Sequence, residues 1–356
     1  MKNFDILRFN PESALLFRDT RGFGFSDNAR TVFPTSEPFY GAIRTAFLRK
    51  NKTNLQNQKA VEKYREQIGD RDHPGKFRFI GPFPFLKEDG RTRYFLPTPS
   101  HLTKWDDGKI GFLQPNPELS FSYRGISLHT LWDGKTEQGS RAAEAYPWID
   151  WEGMSKIKEG KPPAKESLVK ETVFYEIEHR TGIGLRSDRK NAREEMIFRV
   201  RSFRFKEEAG LYLCVLNGAE LLEGIDTVLL GGKSGVATTE LEKNVPGSLF
   251  QKVEDSRKTV IFVTPAIFRN GFLPTGSENS FFGATVKAVC NGKPYAIGGW
   301  DLIARRPKPL MHAVPIGSTY FIEGSLNTTT ITELRGEFGY GSYIECKRYK
   351  EDNYGK

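Results

Sequence analysis

The order of its secondary-structure signals is what most limits the folds open to this chain of 356 residues. A strand-like run at 4–10 precedes an amphipathic helix, which we expect Ser36 to cap and which carries Phe39, Ile43 and Phe47 on one face. Further strand-like runs follow at 76–80, 91–96, 172–179, 195–206, 211–216, 259–264, 285–289, 296–302, 318–323 and 342–347. One helix followed by many short strands predicts an α+β fold rather than a doubly wound parallel sheet.

Length and local composition indicate two domains. A chain of 356 residues is long for one compact domain. The region around 105–170 combines tryptophans, prolines and many charges, so we interpret it as an insertion draped over the first domain. We therefore predict a first domain at 1–206, with this insertion and a basic hairpin around 179–206, and a second domain with glycine-rich loops at 207–356.

Charge and cysteine content narrow the classes of function. The formal net charge of +9 makes a polyanion the natural partner. Cys214, Cys290 and Cys346 are too far apart for a zinc knuckle or a disulfide framework. The sequence shows neither the apolar run of a membrane span nor that of a signal peptide. We expect a cytoplasmic protein without membrane contact, metal or cofactor.

Positive charge is concentrated between Arg180 and Lys206, where nine Lys or Arg stand against three acids. Arginine forks suit phosphates, and the interleaved aromatic rings can stack on bases. We interpret this segment as a protruding RNA-binding β-hairpin, in which the alternation slips at Ser202 as a β-bulge would make it. A solvated hairpin that binds nothing is the alternative. The candidate RNA-binding residues here are His179, Arg180, Gly182, Gly184, Arg186, Arg189 and Arg193.

Two glycine-rich loops are further candidates. GGKSG could wrap an anion with backbone N–H groups, although it lacks the spacing of a P-loop. GEFGYGSY, near the end of the chain, has a similar composition. The candidate residues in these loops are Gly231, Gly232, Lys233, Ser234, Gly235, Gly339 and Gly341.

The region from the first strand to the helix supplies the remaining RNA-binding candidates. Arg18 and Arg21 lie in the loop before the helix. Gly41 lies inside the helix, where glycine costs about 1 kcal/mol relative to alanine, so we expect close packing or a close approach of RNA. Arg44 lies off the apolar stripe and could reach a phosphate, or be an ordinary surface residue.

Catalytic signatures are weak. The five histidines, at 73, 101, 129, 179 and 312, form no pair with metal-ligand spacing. His179, next to Arg180, is the one plausible general base for RNA cleavage without a metal. We expect no enzymatic activity.

Several motifs, taken in order, resemble a known family. LLFRDTRGF, PFYGAIRTAFL, FIGPF and YFLPTPSHL are followed by TGIGLRSDRKNAREEMIFRVRSFRF and LLGGKSG, and then by VTPAIFRNGFLP, GGWDLIARRPKPLMHAVPIGSTYF and GEFGYGS. This order is similar to that of the RAMP subunit numbered three in the Cmr (type III-B) CRISPR effector complex. The region 105–170 departs from the family pattern.

The resemblance implies two ferredoxin-like (RRM-like) domains and binding of the crRNA 5′ tag. It also implies contact with the large signalling subunit and with a backbone RAMP subunit, and no catalytic role. The alternatives are the tag-binding subunit of a Csm-type (III-A) complex, a metal-independent crRNA-processing RAMP endonuclease, and a protein–protein scaffold without affinity for RNA.

Overall fold

The computed structural model describes residues 3–18, 28–29, 31–104, 109–132, 146–185, 192–275, 281–301 and 306–349. The α-helices are α1 Ser36–Lys50, α2 Gln58–Glu62, α3 Arg65–Ile68 and α4 Trp151–Lys158. The strands of the first half are β1 Asn3–Pro11, β2 Asn28–Ala29, β3 Arg78–Glu88, β4 Arg91–Pro97, β5 Leu102–Lys104, β6 Ile110–Phe112, β7 Gln114–Tyr123, β8 Ile126–Trp132, β9 Trp148–Asp150 and β10 Leu168–Val169. Those of the second half are β11 Tyr175–Leu185, β12 Ala192–Phe205, β13 Ala209–Asn217, β14 Thr227–Leu230, β15 Gly235–Pro246, β16 Arg257–Phe262, β17 Ala284–Cys290, β18 Tyr295–Ile297, β19 Trp300–Asp301, β20 Arg306–Pro307, β21 Met311–Ala313, β22 Thr319–Gly324 and β23 Tyr343–Lys347.

A sheet of eight strands, in the order β10-β9-β4-β3-β13-β1-β15-β14, is the largest sheet of the described residues. Its neighbouring strands are antiparallel throughout. Helix α1 packs on one face, where the rings of Phe9 and Phe39 meet edge to face at 5.0 Å. The opposite face is also covered, since Phe4 packs against Trp151 at the start of α4. Burial of aromatic rings on both faces makes this sheet the centre of the main core.

A second sheet, in the order β17-β22-β16-β23, has a smaller apolar core of its own. The rings of Phe262 and Tyr320 lie at its centre, 5.1 Å apart and perpendicular. One ion pair is buried at the edge of this sheet, where Lys258 Nζ lies 3.0 Å from Glu345 Oε2. The two sheets and the helices confirm the α+β prediction.

Helix α1 and most of the predicted strands are confirmed, whereas the predicted cap is wrong and several strands were not predicted. The N-cap of α1 is Thr35, and Ser36 is the first helical residue. Strand β15 was not predicted, because its alternating threonines and charges lack a continuous apolar pattern. Within 105–170, part of the segment is regular: β7 and β8 form a hairpin, and β9 pairs with β4 in the large sheet.

The ferredoxin-like character and the division between 1–206 and 207–356 stay predictions. Strands β13, β14 and β15 follow residue 206 and complete the first sheet. Residues on both sides of position 206 therefore share one sheet, and any division into two domains has to account for this. Within the described part of the chain, no helix has the length and apolar character needed to cross a membrane.

Candidate nucleic-acid interface

Strands β11 and β12 form the predicted basic hairpin. Their antiparallel register is continuous from Tyr175 opposite Phe205 to Ile183 opposite Ile197. The predicted β-bulge at Ser202 is therefore wrong, and the register shifts between Ile183 and Leu185 instead. The local alternation fails at Ser202 because Ser202 and Phe203, which point to opposite faces, are both buried. Gly184 lies at this shift, and Gly182 pairs with Phe198 inside the ladder.

One face of the hairpin carries compensated charge. The carboxylate of Glu178 pairs with the guanidinium groups of both Arg180 and Arg204, and its Oε2 lies 2.5 Å from Arg204 Nη2. Hydrogen bonds from Arg180 and then Arg204 lower the pKa of the Glu178 carboxyl. Two cations therefore share one anion on this face, which reduces their attraction for phosphate.

The other face carries cations without such a partner. Arg201 lies opposite His179, and Arg199 lies opposite Thr181, so these side chains share a face because directly paired residues point the same way. Arg199, Arg201 and His179 are exposed. No acidic side chain that the structure describes lies within ion-pair distance of either arginine. Of the described surface of the hairpin, this face is the one best suited to phosphates.

The segment that contains Arg18 joins the hairpin to the first glycine loop. Leu15 and Phe203 exchange two backbone hydrogen bonds of 2.9 and 2.8 Å. One residue further on, the carbonyl of Leu16 accepts a 2.7 Å hydrogen bond from the N–H of Gly232. Arg18 is exposed and forms an isolated bridge with Thr31. Three segments singled out in the sequence are therefore neighbours in the fold.

The GGKSG loop is the turn between β14 and β15. Gly231 has φ +77°, and a Cβ on it would lie 2.7 Å from the carbonyl oxygen of Leu16. Gly235 is buried, and a Cβ on it would lie 2.7 Å from a methyl group of Leu15. Lys233 and Ser234 adopt left-handed φ values of 59° and 53° at the exposed tip. Packing thus explains two of the glycines, while 231–234 stay exposed beside the hairpin.

The second glycine loop lies in the interior. Gly339 and Gly341 are buried, with φ +83° and +69°. The carbonyl of Gly339 accepts a 2.7 Å hydrogen bond from Thr264 Oγ1, and the N–H of Gly341 donates to the carbonyl of Pro265 at 2.7 Å. A Cβ on Gly341 would lie 2.5 Å from the carbonyl oxygen of Ile331. Backbone geometry therefore accounts for both glycines, and the predicted contact with RNA gains no support from their position.

Gly41 and Arg44 lie on α1 but differ in their surroundings. Gly41 is exposed, and nothing lies within 4 Å of a Cβ built on it, so packing does not explain the glycine. Arg44 donates from Nε to the carbonyl of Ile68 at 2.5 Å and from Nη2 to the carbonyl of His73 at 3.1 Å. Burial lowers the pKa of Arg44. These bonds give Arg44 a structural role in holding the segment after α3, and its predicted phosphate contact stays a prediction.

Several predicted residues have no described geometry. Arg21, Arg186 and Arg189 lie outside the described residues, and of Arg193 only the backbone, in β12, is described. No group of three or more metal-ligating side chains occurs in the part of the chain that the structure describes. The sequence reasoning missed Arg199 and Arg201, although the alternation of arginine with apolar residues in FRVR already indicates that both share one face of a strand.

Comparison of the sequence with known protein families identifies the family of this chain. Residues 7–346 match the sequence model of the family described as CRISPR-associated protein (Cas_Cmr3). A search of curated proteins found no match. The chain therefore belongs to the Cas_Cmr3 family of CRISPR-associated proteins, which confirms the resemblance to the third RAMP subunit of the type III-B complex.

Solved structures show weaker similarity. A chain in "Cryo-EM structure of the Type III-B Cmr-beta bound to cognate target RNA and AMPPnP, state 1" is 14% identical, with 89% of this chain and 86% of that chain covered and a TM-score of 0.49. A chain in "Crystal structure of Csm3-Csm4 subcomplex in the type III-A CRISPR-Cas interference complex" is 11% identical, with coverage of 90% and 94% and a TM-score of 0.41. A chain in "Crystal structure of Csm1-Csm4 cassette in complex with pppApA" is 15% identical, with coverage of 97% and 94% and a TM-score of 0.39. The family assignment rests on the sequence match alone.

Proposed function

We propose that this chain is a non-catalytic subunit of a type III CRISPR effector, in which it holds the 5′ tag of the crRNA. In the same proposal it docks the large signalling subunit onto the backbone RAMP subunits. The observation that carries the proposal is the junction at Leu15 and Leu16, whose backbone hydrogen bonds hold the basic hairpin and the GGKSG turn side by side. Membership of the Cas_Cmr3 family supports the same role.

The hairpin face with Arg199 and Arg201 is the proposed contact with the RNA backbone. Each phosphate contact with a single strand contributes about 0.7 to the slope of log affinity against log salt. The double variant Arg199→Ala/Arg201→Ala should therefore bind tag RNA more weakly and reduce the slope by about 1.4. The double variant Arg180→Ala/Arg204→Ala removes the same number of cations from the face with Glu178, so it should change the slope less.

The experiment is a titration of fluorescent tag RNA with both variants at several salt concentrations. Equal reductions in slope would contradict the distinction between the two faces. No affinity for RNA, or affinity independent of salt, would favour the scaffold alternative. Incubation with repeat RNA in the absence of metal tests the endonuclease alternative, since specific cleavage that is lost in His179→Ala would favour an enzyme.

A further inference from the structure

We propose that the outer edge of β14 receives an extended segment of a partner protein, which adds a ninth strand to the large sheet. Strand β14 is the last strand of the sheet and pairs with β15 on one side only. Among the described residues, no strand pairs with its other side. A row of unpaired N–H and C=O groups at a sheet edge is a template for strand addition.

The register of β14 shows which backbone groups face outwards. The N–H of Thr239 donates to the carbonyl of Asp226 at 2.9 Å, and the next pair along the ladder is Thr227 with Thr238. Hydrogen-bonded and non-bonded pairs alternate in an antiparallel ladder. The bond at Asp226 therefore leaves Thr227 and Leu229 as the residues whose N–H and C=O groups point away from β15. Four backbone groups are available to an added strand.

A groove of about 310 Å³ follows this edge and separates it from α1. Opposite the helix it is lined by residues 224–226, which lead into β14, and by residues 227–229 of β14 itself, and on the helix side by Thr45, Ala46, Arg49 and Lys50. Side chains of a strand alternate between its faces, so a cavity over one face would be lined by every second residue. The consecutive lining places the groove along the edge itself. PDZ domains capture extended peptides by adding them to a sheet edge in the same way.

The groove lining carries charges of both signs, which favours a peptide over RNA. Arg49 is exposed, and no acidic side chain that the structure describes pairs with it. Lys50 Nζ donates to the carbonyl of Glu223, and Asp226 is exposed on the opposite wall. Asp226 is the one acidic residue of the described lining, and its carboxylate repels a polyanion. An extended segment with an acidic side chain opposite Arg49 and an apolar side chain over Ala46 complements this lining.

The choice of probe rests on the proposed function, since the partners would be the other effector subunits. Short overlapping peptides that cover the subunits encoded in the same CRISPR locus are titrated against the full chain by fluorescence anisotropy. At least one peptide should bind, and Arg49→Glu should weaken that binding about tenfold or more. Thr227→Pro should do the same, because it removes an outward N–H at the start of an edge strand, where proline is tolerated.

Lys52→Glu is the matched control, because Lys52 is an exposed cation near the same helix end but outside the groove lining. Peptide binding should be unchanged in this variant. Absence of any binding peptide, or equal losses in Arg49→Glu and Lys52→Glu, would overturn the proposal. The affinity for tag RNA is measured in parallel and should survive Arg49→Glu; its loss would assign the groove to RNA and overturn the peptide proposal. If the wild type binds a peptide but no RNA, only the proposed function fails.

Discussion

The two glycine-rich loops are similar in sequence and lie in opposite environments. The loop 231–235 is a turn whose tip is exposed beside the basic hairpin, whereas Gly339 and Gly341 are buried and hydrogen-bonded to Thr264 and Pro265. A left-handed backbone explains Gly231, Gly339 and Gly341, whereas close packing against Leu15 explains Gly235. Glycine content therefore reports on backbone geometry, and only exposure distinguishes a loop that can meet a ligand from one that holds the core together.

The largest expected effect is on the buried loop. Gly341→Ala forces a Cβ to within 2.5 Å of a carbonyl oxygen at φ +69°, so we expect a loss of about 3 kcal/mol in the free energy of unfolding. Urea denaturation measures it. Gly41→Ala is the matched control: it adds the same methyl group in open space within a helix and should stabilise the protein by about 0.5–1 kcal/mol. A stable Gly341→Ala variant with weakened RNA binding would contradict a purely structural role for the loop.

The second largest effect is a loss of stability at acid pH, which arises from a buried histidine next to the second sheet. His101 is buried, lies 2.9 Å from Thr319 Oγ1 through Nδ1, and stacks on Phe112. Burial lowers its pKa to about 3, against about 6.5 in the unfolded chain. Between these values the unfolded chain binds more protons. The stability that neutral His101 contributes to the folded protein is therefore complete above about pH 6.5. It falls by up to about 1.4 kcal/mol per pH unit as the pH drops towards 3.

Denaturation from about pH 7 to about pH 5 measures this slope. His101→Gln should lower stability at neutral pH and remove the part of the slope due to this residue. His312→Gln is the control, because His312 is exposed. An acid slope that persists unchanged in His101→Gln would show that other groups cause it.

The smallest expected effect concerns the exposed loop and how it binds. If the backbone of 231–234 faces RNA, Gly232→Val should weaken tag binding about fivefold, and Lys233→Ala only about twofold, because lysine adds a flexible, solvated point charge. A Cβ on Gly232 would lie 3.3 Å from the side chain of Leu16, so thermal stability is measured in parallel. A larger effect of Lys233→Ala would show that the loop acts through its charge. No effect of either variant would reduce it to a turn.

Local sequence signals predicted α1 and most strands because these elements follow simple rules. The apolar spacing of Phe39, Ile43 and Phe47 and the basic residues at its end mark α1 without any tertiary information. The burial of Gly339 could not be predicted in this way, since it depends on a hydrogen bond from Thr264, 75 residues away in sequence. The structural role of Arg44 depends likewise on the carbonyls of a later segment.

In the basic hairpin, too, the sequence predicts the element but not the contacts of its side chains. Its existence follows from composition, but the compensation of Arg180 by Glu178 becomes visible only once the strand faces are known. The glycine-rich half of the segment predicts Arg186 and Arg189 as candidates. The alternation in FRVR, which places Arg199 and Arg201 on one face, is visible in the sequence alone.

The position of β1 has a consequence for biosynthesis. Both of its neighbours in the sheet, β13 and β15, lie about 200 residues further along the chain. At typical synthesis rates of about 5–20 residues per second, both edges of β1 wait on the order of 10–40 s for their partners to leave the ribosome. During that time the apolar faces built around Phe4 and Phe9 remain without their final covering. Folding of the large sheet is therefore dominated by distant contacts, which makes it slow and exposes the nascent chain to aggregation.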